Sequence, residues 1–237
     1  MAMDLATQEP TYAVARMGEA LPQIMEENIG AGGMEVADLE RIKIPAGGAT
    51  TWLVNTVSGE EALKVIEGIV IHFSSGRAYW KESFSGDNVP PDCSSTDMVQ
   101  GVLNGNVTAC KTCPMNQFGT SIGDNGVPGK GKACSEIRTL YILQKDSLLP
   151  MVLRLPVTSV KPCRKYFVAL ATKAKAYYNV ISQISLGQEK GNFTYSVAQF
   201  AMKEELDDVT KKAIIAYREQ IIPLLKEHEA STDIEQI

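Results

Sequence analysis

The sequence predicts a mainly β protein with flanking helices, an α+β architecture, on three observations. Short runs rich in β-branched and aromatic residues, separated by Gly, Asn, Asp and Pro, recur between residues 51 and 202. Helical periodicity is confined to an N-terminal stretch, a segment after residue 157 and the C-terminal end. Four of the five cysteines fall within one 42-residue stretch rich in turn residues, lying between two extended runs. With 237 residues, 44% apolar and 22% charged, the chain has the composition of one globular domain with extensions and enough apolar side chains for a core.

Residues 1–50 read as an N-terminal arm, partly helical or loosely ordered. Ala13, Val14, Met17, Leu21 and Met25 recur at helical spacing, Pro22 interrupts them, and the glycines from Gly30 to Gly33 end the segment. Leu39, Ile42 and Ile44 form a short extended piece closed by Pro45-Ala-Gly-Gly, and residues 51–57 read as a strand. KVIEGIVIHF, Lys64 to Phe73, is a long strand in which Gly68 implies a bulge or tight bend. Arg77 to Lys81 continues it after a Ser-Ser-Gly turn, and the cysteine stretch follows. Thr139 to Lys145 and Met151 to Leu155 form two strands joined as a hairpin. Thr158-Ser159 offers an N-cap for a helix from Val160 to Ala176. Asn179 to Leu186 and Phe193 to Phe200 are strands joined by the tract from Gly187 to Gly191. A last amphipathic helix, capped by Asp207 or Asp208, runs to about residue 229. Ile214, Ile215, Ile221 and Leu225 form its stripe, and Ile214, Ile221 and Leu225 also offer a homodimer contact.

The order is therefore strand, cysteine insertion, strand, strand, helix, strand, strand, helix. Five strands with a helix between the third and fourth match the OB-fold, a Greek-key barrel. The expected layout has an arm over 1–50, an OB-fold domain over 51–202 with its insertion at 85–137, and a C-terminal helix with an acidic tail over 203–237.

The cysteine spacing is C-x16-C-x2-C-x20-C, formed by Cys93, Cys110, Cys113 and Cys134. Soft thiolates select tetrahedral zinc, and a C-x-x-C turn grips one ion with little chain strain. A redox C-x-x-C is expected beside a βαβ pattern, which this region lacks. Two disulfides need an oxidising compartment, and the first residues have neither a basic n-region nor an apolar h-region. A catalytic zinc keeps one position open and usually employs His, yet His72 and His228 both lie far from the cluster in sequence. The pattern thus predicts a structural Zn²⁺ that folds the loop, in a protein of the cytoplasm without a membrane span.

Net charge is −5, but it is unevenly distributed. Residues 77–178 carry 13 basic and 7 acidic groups, whereas residues 1–50 carry 3 and 8, and residues 203–237 carry 5 and 9. Four zinc-bound thiolates subtract about two charges from the basic middle and leave it positive. The middle also holds aromatic side chains among its cations, which is what a single nucleic-acid strand requires: π faces for bases and charge for phosphates. The candidate contacts are Arg77, Tyr79, Trp80, Lys81, Phe84, Lys130, Lys132, Arg138, Tyr141 and Arg154. Tyr79 and Trp80 point to opposite sheet faces, so at most one of them stacks on a base, and a strand Trp is equally read as core. Lys161, Arg164, Lys165, Lys173 and Lys175 on the predicted helix are more ordinarily a solvated face.

Element order and insertion point resemble the zinc-bearing DNA-binding OB domain of the replication protein A large subunit. The stretches DLERIKIPAGG, IEGIVI, AYW, CKTCPMNQFGTS, GKGKAC and LPVTSVK are similar to a family of bacteriophage zinc-containing single-stranded DNA-binding proteins. The resemblance implies sequence-tolerant binding of single-stranded DNA in phage or prophage replication or recombination, inside a bacterial host cell. It also implies replication or recombination partners recruited through the acidic tail, although HEASTDIEQI is equally read as a solvated end. The rival reading is a zinc-stabilised interaction factor, a phage protein that binds a host protein and no nucleic acid.

Enzyme chemistry is disfavoured by inventory. Two histidines support no Ser-His-Asp arrangement, no H-E-x-x-H is present, and Gly126 to Lys132 lacks the Walker A spacing. Asp87, Asp92, Asp97 and Asp124 flank the cysteines, where Asp is commonly turn chemistry.

Overall fold

In a computed structural model, the described residues are 12–17, 20–30, 38–82, 91–103, 105–123, 126–191 and 194–231. Among the described residues the fold is mainly β with helices packed around it: a nine-stranded mixed sheet, a separate two-stranded hairpin and four α-helices. The strands are β1 Arg41–Ile42, β2 Trp52–Thr56, β3 Gly59–Leu63, β4 Val65–Tyr79, β5 Cys93–Ser95, β6 Gln100–Leu103, β7 Asn106–Ala109, β8 Ser135–Leu143, β9 Met151–Leu155, β10 Val180–Lys190 and β11 Thr194–Glu205. The helices are α1 Ala13–Met17, α2 Leu21–Ile29, α3 Val157–Ala171 and α4 Asp208–Ser231.

β4 organises the sheet. Its first residues pair antiparallel with β10, Ile69 to Ala78 pair with β8, and its last three residues pair with β5. The change of partner falls at Gly68, where a Cβ would stand 2.7 Å from Ile142 Cγ2 and from the Leu143 carbonyl oxygen. The register shift lies past Gly68, where a bulge or bend was expected, between Val70 and His72. The Ser74-Ser75-Gly76 segment, expected as a turn, instead runs straight through the strand, because β8 supplies it with partners. Gly76 leaves room for β5, whose Ser95 oxygen would lie 2.6 Å from an added Cβ.

The sheet path runs β1-β9-β8-β4-β5-β6-β7, with β10 on β4 and β11 on β10; β1 joins β9 in parallel. Barrel closure would pair β9 with β11, and among the described residues these strands are not paired. Both sheet faces are covered. Leu140 and Ile142 of β8 and Met151, Leu153 and Leu155 of β9 share a core with Trp52, Val160 and Cys163. Tyr141, Leu143 and Val152, alternating with them, pack with Ile214, Tyr217, Ile221 and Leu225 of α4 and with Tyr12 and Val14.

Several expectations are corrected here. The N-terminal arm is not loosely held at residues 12–14: Tyr12 and Val14 are buried, and the Ala13 N–H bonds the Lys145 carbonyl oxygen at 2.8 Å. Pro22 begins α2 rather than interrupting a helix, since the first turn needs no N–H from it. β3 is an unforeseen polar strand paired with β2. α3 starts at Val157 behind Pro156, and Ser159 does not cap it; its Oγ accepts the Ala198 N–H at 3.0 Å. α3 ends at Ala171, short of Ala176, where Ala174 takes a left-handed φ of 55°. Residues 187–190, expected as a connection, continue β10, and Gly187 admits Gln199 where a Cβ would meet its Nε2 at 2.3 Å. Ile214, Ile221 and Leu225 are buried inside the chain and so unavailable as a dimer contact, while Ile215 faces outward.

Candidate metal centre and nucleic-acid interface

The segment between β4 and β8 is a small lobe. β5 extends from the end of β4, with Tyr79 opposite Cys93, and β6 and β7 add a hairpin with Val102 opposite Val107. Asp97 closes the β5–β6 turn: its Oδ1 accepts the N–H groups of Val99 at 2.7 Å and Gln100 at 3.1 Å, which hold its carboxyl below the usual range. Asp92 accepts the Lys81 N–H at 2.7 Å. Both carboxylates thus perform turn chemistry; Asp87 and Asp124 lie outside the described residues.

After β7 the chain makes the Cys110-Lys-Thr-Cys113 turn, with the Cys113 N–H bonded to the Ala109 carbonyl oxygen at 3.0 Å. A one-turn 3-10 helix follows, Pro114–Asn116, and the Cys134 N–H bonds the Met115 carbonyl oxygen at 2.8 Å. Cys93, Cys110, Cys113 and Cys134 therefore line a single cavity with Arg77, Ser94, Ser95, Thr108 and Asn116. Its volume of about 10 Å³ is the room of one water-sized sphere, suited to an ion and too small for an organic ligand. The four thiols share this cavity, yet among the described residues no group of three or more His, Cys, Asp or Glu side chains stands ready-made around an ion position. None of the four is in a disulfide.

Burial raises the Cys93 thiol, reinforced by Cys113 and Cys110 beside it. Burial also raises Cys134, opposed by the charge and hydrogen bond of Arg77. Arg77 Nε is itself buried without a hydrogen-bond partner. Arg77, predicted from sequence as a nucleic-acid contact, is thus a wall of the cysteine cavity. Cys163 stands apart, fully buried on the inner face of α3 beside Arg138, and burial pushes its thiol up to about 11.

The other predicted contacts divide by burial. Tyr141 is 2% exposed, stacked on His72 at 5.6 Å between ring centroids, so no base reaches its face in this fold. Arg138 is buried, its Nε bonds Ser75 Oγ at 3.2 Å, and its guanidinium lies 4.9 Å from the Phe73 ring centroid. Tyr141 and Arg138 are core residues. Arg154 is half-buried beside the exposed Arg41, two like charges on adjacent strands. Trp80 is half-buried against Ala78 and Ile137, and Tyr79 is half-buried. Lys81 and Lys130 are exposed. Phe84 lies outside the described residues.

Tyr177 and Tyr178 are packed rather than free platforms: Tyr177 against Phe73 and Phe167, and Tyr178 beneath Arg218 at 3.7 Å. The tract around Gly129 and Gly131 is held too. The Gly129 N–H bonds the Ser121 carbonyl oxygen at 2.7 Å, and the Gly119 N–H bonds the Gly131 carbonyl oxygen at 2.8 Å. Two residues of this lobe were missed from sequence. Asn116 is buried and donates to the Cys110 carbonyl oxygen at 2.6 Å. Phe118 is 80% exposed with Lys132 Nζ 4.9 Å from its ring centroid. A Phe between Gln117 and Gly119, with polar Asn116 and Thr120 at strand spacing on either side, was the available signal.

Beside α3, Val157, Val160, Val168 and Ala169 floor a groove of about 540 Å³ edged by Lys161, Arg164 and Lys165 and by Glu136 of β8. Among the described residues no helix is long and apolar enough to cross a membrane. No protein-family model, curated protein or solved structure matches the chain.

Proposed function

We propose that this is a single-stranded DNA-binding protein of OB type whose cysteine lobe carries a structural zinc ion, serving phage or prophage DNA replication or recombination without catalysing a reaction. The observation that carries the reading is the sharing of one ion-sized cavity by four thiols, in a lobe lying between the long bent strand β4 and β8. β4, β8, β9, α3, β10 and β11 follow the strand-helix order of the OB-fold, which is a partly open barrel and tolerates an unpaired β9–β11 seam.

Cys93, Cys110, Cys113 and Cys134 would hold the zinc, which supplies a fold constraint and no reactive position. Arg77 would offset part of the surplus charge of four thiolates on one dication. Lys81, Lys111 and Lys130 are exposed on the same lobe, and among the described residues none of them forms an ion pair. Together with half-buried Tyr79 and Trp80 they supply the charge and π surface that a single strand requires.

Anisotropy of a fluorescein-labelled oligo-dT tests the reading. Binding is expected at low salt and should weaken as salt rises, with a log–log slope of about −0.7 per phosphate contacted. No binding at low salt would remove the DNA reading. The α3 groove favours the second reading, a zinc-stabilised protein-interaction factor, because its apolar floor, with a mixed edge of Lys161, Lys165 and the Arg164–Glu136 pair, suits an amphipathic segment better than a nucleic-acid strand. That reading predicts a metal-loaded protein indifferent to oligo-dT.

A further inference from the structure

We propose that Phe118 is a nucleobase-stacking platform and Lys132 its flanking cation, forming one contact point for a single nucleic-acid strand on the cysteine lobe; the proposal rests on the DNA-binding reading above. Large aromatic side chains are seldom left so open to water, and Phe118 is 80% exposed. Lys132 Nζ lies 4.9 Å from its ring centroid, and at that exposure most of the ring remains open to solvent.

Both groups stand on segments that are tied together. Lys132 Nζ donates to Asn116 Oδ1 at 3.1 Å, and buried Asn116 donates onward to the carbonyl oxygen of Cys110 at 2.6 Å. The lysine is therefore tied to the C-x-x-C turn through one amide. The backbone that follows the ring is held as well. N–H groups of Gly119, Thr120 and Ser121 all point at the Gly131 carbonyl oxygen, at 2.8, 3.1 and 3.2 Å, and the Ala133 N–H bonds Thr120 Oγ1 at 3.0 Å. Gly129 and Gly131 make this approach possible, because a Cβ would stand 2.6 Å and 3.2 Å from Ser121 Oγ. Segments 116–121 and 129–133 thus form one unit that carries the ring, the lysine and the neighbouring exposed Lys130.

The chemistry around Phe118 favours a nucleic acid over a protein patch. Its chain neighbours are Gln117, Gly119 and Thr120, Lys132 lies over its ring, and Lys130 is exposed on the paired segment, neither lysine in an ion pair among the described residues. A ring with a lysine ammonium over it matches a base with its phosphate, whereas the apolar side chains of the same lobe, Ile122 at 66% and Val127 at 57% exposed, stand open to water and do not enclose the ring as a protein hot spot requires.

The test uses the full chain loaded with zinc and a labelled oligo-dT. Phe118→Ala should weaken binding roughly 5- to 150-fold, the range expected for one stacked base. Lys132→Ala should flatten the log–log salt slope by about 0.7, one phosphate's share. In Phe118→Trp the added indole should retain affinity and lose fluorescence when oligo-dT is bound, beyond any loss seen in wild type. If wild type binds and Phe118→Ala binds equally well, with no added quenching in Phe118→Trp, the platform is overturned and a protein partner takes its place while the DNA reading stands. If wild type itself fails to bind, the reading beneath the proposal falls.

Discussion

The guanidinium of Arg77 lines the thiol cavity with its Nε buried and unbonded, and it lowers the Cys134 thiol against the effect of burial. Four thiolates on one dication leave a double negative charge, so removing this cation should weaken the proposed zinc centre. Arg77→Gln is expected to lower zinc affinity roughly 10- to 100-fold in chelator competition, as for other groups that support metal ligands, and Arg77→Lys should recover part of it. Equal affinity in Arg77→Gln would mean that Arg77 has no part in the centre. Trp52 is a stability determinant with no binding role: it is fully buried, and its Nε1–H donates to the Ile184 carbonyl oxygen at 3.0 Å. Trp52→Ala should cost about 3–5 kcal/mol in urea unfolding, and a smaller loss would mean that the β2–β3 hairpin collapses onto the gap. For single side chains, residue type was readable but exposure was not. Tyr141 and Arg138 have the right chemistry for a DNA groove, and both lie in the core because α4 and α3 cover the two faces of β8.

Periodicity resolved the elements that carry a long apolar alternation. β9 was expected at Met151 to Leu155 and is found there, and α4 begins where Asp207 accepts the Thr210 N–H at 2.8 Å. Thr210 holds the Asp207 carboxyl below its usual range. A depressed carboxylate stabilises the fold above its unfolded value of about 3.9, and this contribution is lost as pH falls through the lower folded value. Asp207→Ala should therefore destabilise by about 0.5–2 kcal/mol at neutral pH, with the deficit shrinking in acid. A deficit unchanged down to strongly acid pH would exclude the cap as its source. β3, β5, β6 and β7 escaped notice because each is three to five residues long and has mixed polarity, so pairing rather than alternation makes them strands. Within β4, Gly68→Ala should cost about 1–3 kcal/mol, since its Cβ would meet backbone at Leu143. Thermal unfolding no lower than wild type would show that the bend has slack.

Across the whole molecule, Glu205 at the end of β11 bonds Lys175 beyond α3 and Lys211 of α4, which pushes its carboxyl down to about 2. Its contribution is complete above the unfolded value of about 4.3 and disappears as pH drops toward 2. Glu205→Gln should therefore flatten the acid limb of a melting-temperature profile between those values; an unchanged limb would show that the clamp adds no stability. Chelation should loosen residues 93–134 while β4, β8 and β9 keep their hydrogen-exchange protection, because the sheet has its own core on both faces. The amino-acid sequence alone determined the β-rich class, the places of the longer elements and the cysteine spacing, all of which are local properties of the chain. The tertiary structure decided what no local pattern encodes. It brings four thiols separated by as many as 41 positions to one cavity, buries Tyr141 and Arg138, and sets Phe118 beneath Lys132 in the open. The physical reason is that exposure depends on which distant segment covers a face, and only long-range packing chooses that segment.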